Sequence, residues 1–191
     1  MTGNTKTMGR WQGSAWQKAM WAGAAALLAL PAVAMRLTTE VDWDAFDFIA
    51  MGLILAAACG AMEVGMRMSG HLAYRAGVAV GVGGGFLMVW TNLAVGALGD
   101  EANPANLMYG GVLLLGLVGA VLARFRAAGL ARTMLAMAAA TVAVALIALA
   151  TGATGGSRLA EVGGVTLFYL GPWLLAWALF RMAAADARQT A

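Results

Sequence analysis

The stretch AMAAATVAVALIALA, residues 136–150, carries no charge and one hydroxyl, Thr141, and its apolar residues do not alternate with polar ones. LLLGLVGAVLA, residues 113–123, carries neither charge nor hydroxyl and does not alternate either. Strands of a transmembrane barrel read as roughly ten-residue segments of alternating polarity, so these runs exclude a barrel and predict helices. At about 1.5 Å per residue, some 20 apolar residues cross a hydrocarbon core of roughly 30 Å. No water reaches that core, so each segment must pair its backbone groups internally, which a helix does.

Composition agrees with the runs. The chain of 191 residues is 62% hydrophobic and 11% charged, with a mean hydropathy of +0.79, whereas about a quarter of a soluble domain is charged. The sequence therefore predicts an all-α, polytopic transmembrane bundle, a single integral domain over residues 1–191. Its six spans fall at about 19–35, 46–66, 76–98, 106–123, 133–152 and 163–180, behind an N-terminal segment 1–18. Polar stretches are too short for a soluble domain, and neither a fixed-period repeat nor an inverted match between residues 19–98 and 106–180 is visible.

Charge sets the expected orientation. With the N-terminus in the cytoplasm, Lys6, Arg10, Lys18, Arg67, Arg75, Arg124, Arg126, Arg132, Arg181 and Arg188 all lie inside, and only Arg36 and Arg158 lie outside. That asymmetry satisfies the positive-inside rule with both termini cytoplasmic. The scatter of positive residues between apolar runs also argues against a nucleic-acid partner, despite a net charge of +3. Ala32, Val33 and Ala34, after an apolar run, resemble a signal-peptidase site, but the preceding polar segment is long for a leader and an uncleaved first span is expected.

Lipid tails are as apolar as leucine, so membrane helices associate by close backbone approach. Gly77, Gly81 and Gly85 recur every four residues in span 3, as do Gly52, Ala56 and Gly60 in span 2. These two small-residue ladders predict that spans 2 and 3 pack together.

Few polar residues enter the spans. Glu63 is the only acid placed inside one, a turn from its cytoplasmic end, with Arg67 four residues on and on the same face. An interfacial ion pair with a snorkelling arginine accounts for it, and a proton or cation site is the alternative. Asn92, beside Trp90 and Thr91, needs an interhelical partner or a polar pocket, and Tyr169 of span 6 joins Glu63, Arg67 and Asn92 as a candidate for an intramembrane polar site whose members the sequence does not place together. Outside, Asp44 reads as the cap of span 2 with Asp47 in its first turn, and Asn103-Pro104 reads as a helix start. Glu40, Asp42, Asp100 and Glu101 remain as a solvated acidic rim, or as oxygen ligands for a divalent cation if their loops meet. Pro172 predicts a kink in span 6.

Catalytic chemistry lacks its parts. His71 is the only histidine and Cys59 the only cysteine, which excludes a bis-histidine haem, a multi-histidine metal centre and an internal disulfide. Both lysines precede the first span, and Ser14, Ser69 and Ser157 lie outside the spans without a triad. The expectation is a non-enzymatic protein with no cofactor and no resident metal.

The segments WTNLAVG, residues 90–96, and NPANLMYG, residues 103–110, resemble a stretch of small bacterial polytopic membrane proteins with no assigned activity. The resemblance covers about 20 residues, implies a bacterial inner-membrane setting and transfers no site residue. Two functions compete. One is helix association, as a homo-oligomer or an accessory subunit of a membrane complex surrounded by lipid. The other is a small ion or solute transporter or channel, with Glu63, Asn92 and Tyr169 on one pathway behind an acidic outer face.

Overall fold

The structure, a computed structural model, describes residues 5–189, with side chains from residue 15 onward. Among the described residues there are six helices and no strand: α1 (Thr5–Leu37), α2 (Ala45–Met68), α3 (Leu72–Ala94), α4 (Leu107–Leu122), α5 (Ala127–Thr151) and α6 (Leu159–Gln189). All six are long and apolar enough to cross a membrane. The expected integral membrane helix protein is therefore found, while Lys6 and Arg10 fall outside the described side chains. The helices overrun the expected spans at several charged ends. α5 starts at Ala127 rather than near residue 133, and α6 continues past Arg181 to Gln189. Hydropathy falls at an arginine, whereas the helix continues because an exposed guanidinium reaches the interface on its apolar stem.

The chain divides into two compact bodies, one ending at Glu63 and the other beginning at Val64.

The first body consists of α1 and most of α2. The start of α2 is fixed by a reciprocal cap. Asp44 Oδ1 accepts from the amides of Phe46 at 2.7 Å and Asp47 at 3.0 Å, while Asp47 Oδ2 accepts from the amide of Asp44 at 3.0 Å. These bonds satisfy orphan donors at a positively polarised helix end. Gly52 faces α1, where an added Cβ would come to 3.6 Å from Leu28. Trp21 of α1 donates from Nε1 to Glu63 Oε1 of α2 at 2.8 Å. Such an interhelical bond in a membrane contributes about 1 kcal/mol.

The second body is a four-helix bundle in which α5 packs against both α4 and α6 and α3 packs against α6, with a slighter contact between α3 and α4. α3 and α6 run antiparallel: Gly77 lies under Phe180, Gly81 near Ala176, and Gly84 under Pro172 and Trp173. Between the helices, Met88, Tyr109, Val112, Ala148, Val162, Tyr169, Trp173, Ala176 and Phe180 are buried. The buried hydroxyls of Thr133, Thr141 and Thr166 each donate to the carbonyl four residues back, so their burial costs no unpaired donor.

The α3 ladder thus spends its small faces inside this body. The sequence assigned that face to span 2; α6, α5 and α4 occupy it, with Phe180 and Ala176 on α6, Met134 on α5 and Leu113 on α4. The last turn of α2 also belongs to this body, and there Gly65 lies against Val78 of α3. Close approach between α2 and α3 within the body is carried by that pair, which the every-fourth-residue pattern does not include.

Candidate functional site

α3 ends at Ala94, four residues sooner than the sequence predicts, which puts Thr91 and Asn92 in its final turn. There they meet Tyr169 of α6. The Asn92 amide nitrogen donates to the Met88 carbonyl at 2.6 Å and to the Tyr169 hydroxyl at 3.2 Å, which uses both of its hydrogens. The Met88 carbonyl accepts only, so it fixes which end of the amide faces it. Thr91 Oγ1 donates to the Leu87 carbonyl at 2.7 Å, leaving its lone pairs to receive the Tyr169 proton in a short hydroxyl contact.

The result is a directed chain from Asn92 through Tyr169 and Thr91 to the α3 backbone. The chain has a leftover acceptor. Asn92 Oδ1 is buried without a hydrogen-bond partner, as are the Tyr109 hydroxyl and Trp173 Nε1 nearby on α4 and α6. Tyr109 packs edge-on against Tyr169, with ring centroids 5.2 Å apart. Beside the chain, a crevice of about 260 Å³ runs between the end of α3 and α6, with Thr91 and Tyr169 among the apolar side chains of Val95, Val165 and Phe168. Replacing Tyr169 with Phe would remove the acceptor for Asn92 and the donor to Thr91. A loss of about 1 to 2 kcal/mol in unfolding free energy is expected, read by thermal unfolding in nanodiscs.

Above this node the α3–α4 and α5–α6 connections are tied into one knot. Asn106, only 8% exposed, accepts at Oδ1 from the amides of Ala97 at 3.1 Å and Leu98 at 2.9 Å, and donates to the Asp100 carbonyl at 2.7 Å. Asn103 caps the following turn by accepting from the Ala105 amide, as its sequence predicts, and also donates to the carbonyls of Leu98 at 2.6 Å and Ala153 at 3.1 Å. Gly99, at φ +81°, and Gly155, at φ +61°, meet backbone to backbone, where a side chain would collide and the left-handed backbone favours glycine. The Gly99 amide donates to Ser157 Oγ at 3.0 Å. Asn106 has no conspicuous sequence signal beyond its place as the last residue of an Asn-Pro-Ala-Asn run.

The remaining sequence candidates are placed as follows. Glu63 is held in the first body by Trp21, and Arg67 lies exposed a turn further along α2. Asn92 and Tyr169 are brought together in the second body. Glu40, Asp42, Asp100 and Glu101 are all exposed, the first two in one body and the last two in the other. Among the described residues no group of three or more histidine, cysteine, aspartate or glutamate side chains is positioned to hold a metal ion. On α2, Gly52 faces α1, Ala56 is exposed, and among the described residues nothing lies within 4 Å of a Cβ added at Gly60. No family model matches the chain, and no curated protein or solved structure is similar to it.

Proposed function

We propose that this chain is a non-enzymatic integral protein of the bacterial inner membrane that acts through helix association, as a homo-oligomer or an accessory subunit of a larger complex. The observation that carries this reading is the contrast between the two small-residue ladders. The α3 ladder is consumed by α4, α5 and α6, whereas on α2 Ala56 is exposed and, among the described residues, nothing lies within 4 Å of a Cβ added at Gly60. In lipid, a face that permits close backbone approach is worth most against another helix, because lipid chains compete equally well for large apolar side chains. Gly81→Leu is accordingly a test of the fold, since its Cβ would meet Met134 and Ala176 within its own body. Gly60→Leu is the test of association. It is expected to reduce assembly size or partner recovery by about tenfold after mild extraction while leaving the unfolding temperature within about 2 °C. Unchanged assembly and recovery would count against this reading.

Transport is the second reading, favoured by the Asn92, Tyr169 and Thr91 chain with its unpartnered acceptor inside a span. Proteoliposome flux across a panel of ions and small solutes, abolished by Asn92→Leu, would support it. No flux in the wild-type protein would remove it.

A further inference from the structure

Two contacts draw together one end of the second body. His71 Nε2 at the start of α3 meets Asp186 Oδ2 near the end of α6 at 2.9 Å, and the Tyr74 hydroxyl of α3 donates to the Phe125 carbonyl of the α4–α5 turn at 2.8 Å. Arg75, Arg124, Arg126, Arg132, Arg181 and Arg188 all belong to this end, while Asp186 is its only carboxylate among the described residues from Val64 onward. The turn itself is unusual. Arg124 and Phe125 both adopt left-handed backbone, at φ 48° and 55°, a conformation that costs roughly 1 kcal/mol or more per non-glycine residue. Buried Tyr74 holds the turn in place, with Arg124 and Arg126 exposed on either side of Phe125. Arg132 is exposed little more than a turn into α5, whose first turn contains no acid to offset the charge.

We propose that this arginine-rich end is a docking surface for anionic phospholipid headgroups, centred on Arg124, Arg126 and Arg132. The helices of this body span hydrocarbon, so their ends lie at headgroup depth, where phosphate esters are the abundant anions. A guanidinium presents a planar fork of donors that fits phosphate oxygens in pairs. This surface is independent of the α2 face invoked for association.

The experiment is lipid retention by the full chain, extracted from nanodiscs of equimolar phosphatidylglycerol and phosphatidylcholine and read by native mass spectrometry. The wild-type protein is expected to retain phosphatidylglycerol in preference to phosphatidylcholine. Changing Arg124, Arg126 and Arg132 together to Gln is expected to lower that preference by about fivefold for each arginine removed. The triple Arg→Lys variant is expected to keep most of the preference, and Arg158→Gln, outside this end, to leave it unchanged. Retention by the wild-type protein is also expected to fall as salt rises, which tests the surface even where the Gln variant fails to fold. Equal retention of the two lipids, a Gln variant that folds and retains phosphatidylglycerol as the wild type does, or salt-independent retention would each overturn the proposal.

Discussion

Replacing Asn106 with Leu is expected to lower the unfolding free energy by about 3 kcal/mol, seen as a fall of about 10 °C in the thermal midpoint in nanodiscs. The side chain is buried and accepts from two consecutive amides, those of Ala97 and Leu98, while donating to the Asp100 carbonyl. Leucine matches its bulk and supplies none of these partners. Two N–H groups would then be unpaired in a site where Leu98 is fully buried and Ala97 nearly so, and an unpaired buried donor costs about 1 to 3 kcal/mol. Asn106→Asp separates the contributions. It keeps the acceptor for both amides but turns an acceptor toward the Asp100 carbonyl, so a loss between the wild-type and leucine values is expected. Equal midpoints for wild type and Asn106→Leu would show that the loop knot does not support the bundle.

The second large effect is expected at Gly84. A Cβ there would lie 2.6 Å from Pro172 Cβ and 3.2 Å from Trp173 Cζ3. The proline ring is tied to its own backbone, and Trp173 is 1% exposed, so neither has room to withdraw. Relief requires α3 and α6 to separate, and overpacking of this kind costs about 1 to 3 kcal/mol. Gly84→Ala is expected to cost about 2 kcal/mol and Gly84→Val more. At Gly110, where nothing lies within 4 Å of an added Cβ, alanine is expected to be neutral or mildly stabilising, since it favours the helix by up to about 1 kcal/mol. The paired measurement is therefore the difference between Gly84→Ala and Gly110→Ala in the same denaturation assay. Similar midpoints would contradict the close α3–α6 approach.

Neither of these two positions was legible in the sequence, although other parts of the fold were. Helices long enough to span a membrane were legible because uncharged runs such as residues 113–123 leave the backbone no solution but internal pairing. Asp44 and Asn103 were legible as caps because capping is local: the side chain and the amides it accepts from lie within three residues. Partner choice is not local. The spacing of Gly77, Gly81 and Gly85 defines a narrow face, but any helix can use it, and the face meets α6, α5 and α4 in place of the expected span 2. Gly84, the tightest contact in that run, falls between the ladder positions and gives no periodic signal of its own.

The polar site divides along the same line. The need of Asn92 for a partner follows from its position near a span end, but the identity of that partner, the Tyr169 hydroxyl at 3.2 Å, does not, because it lies on another helix 77 residues away. Thr91 gave no such signal, because a threonine in a membrane helix is usually satisfied by the carbonyl one turn back, as Thr141 is. Its link to Tyr169 comes from the antiparallel pairing of α3 with α6, which brings residues 78 positions apart into contact. Glu63 was read with Arg67 along one helix face, a relation within α2; the bond that Glu63 accepts at 2.8 Å from Trp21 comes from another helix. That donor lies 42 residues away, and no pattern within α2 points to it.

The most direct test of the division between an α3 ladder that holds the fold and an α2 face that recruits a partner is native mass measurement after gentle extraction. Wild type, Gly60→Leu and Gly84→Ala would be compared, each with its thermal midpoint. The expected wild-type mass exceeds that of one 19.5 kDa chain, Gly60→Leu reduces it to the single chain at an unchanged midpoint, and Gly84→Ala lowers the midpoint. A wild-type protein recovered only as a single chain, or a Gly60→Leu assembly of undiminished mass, would contradict it.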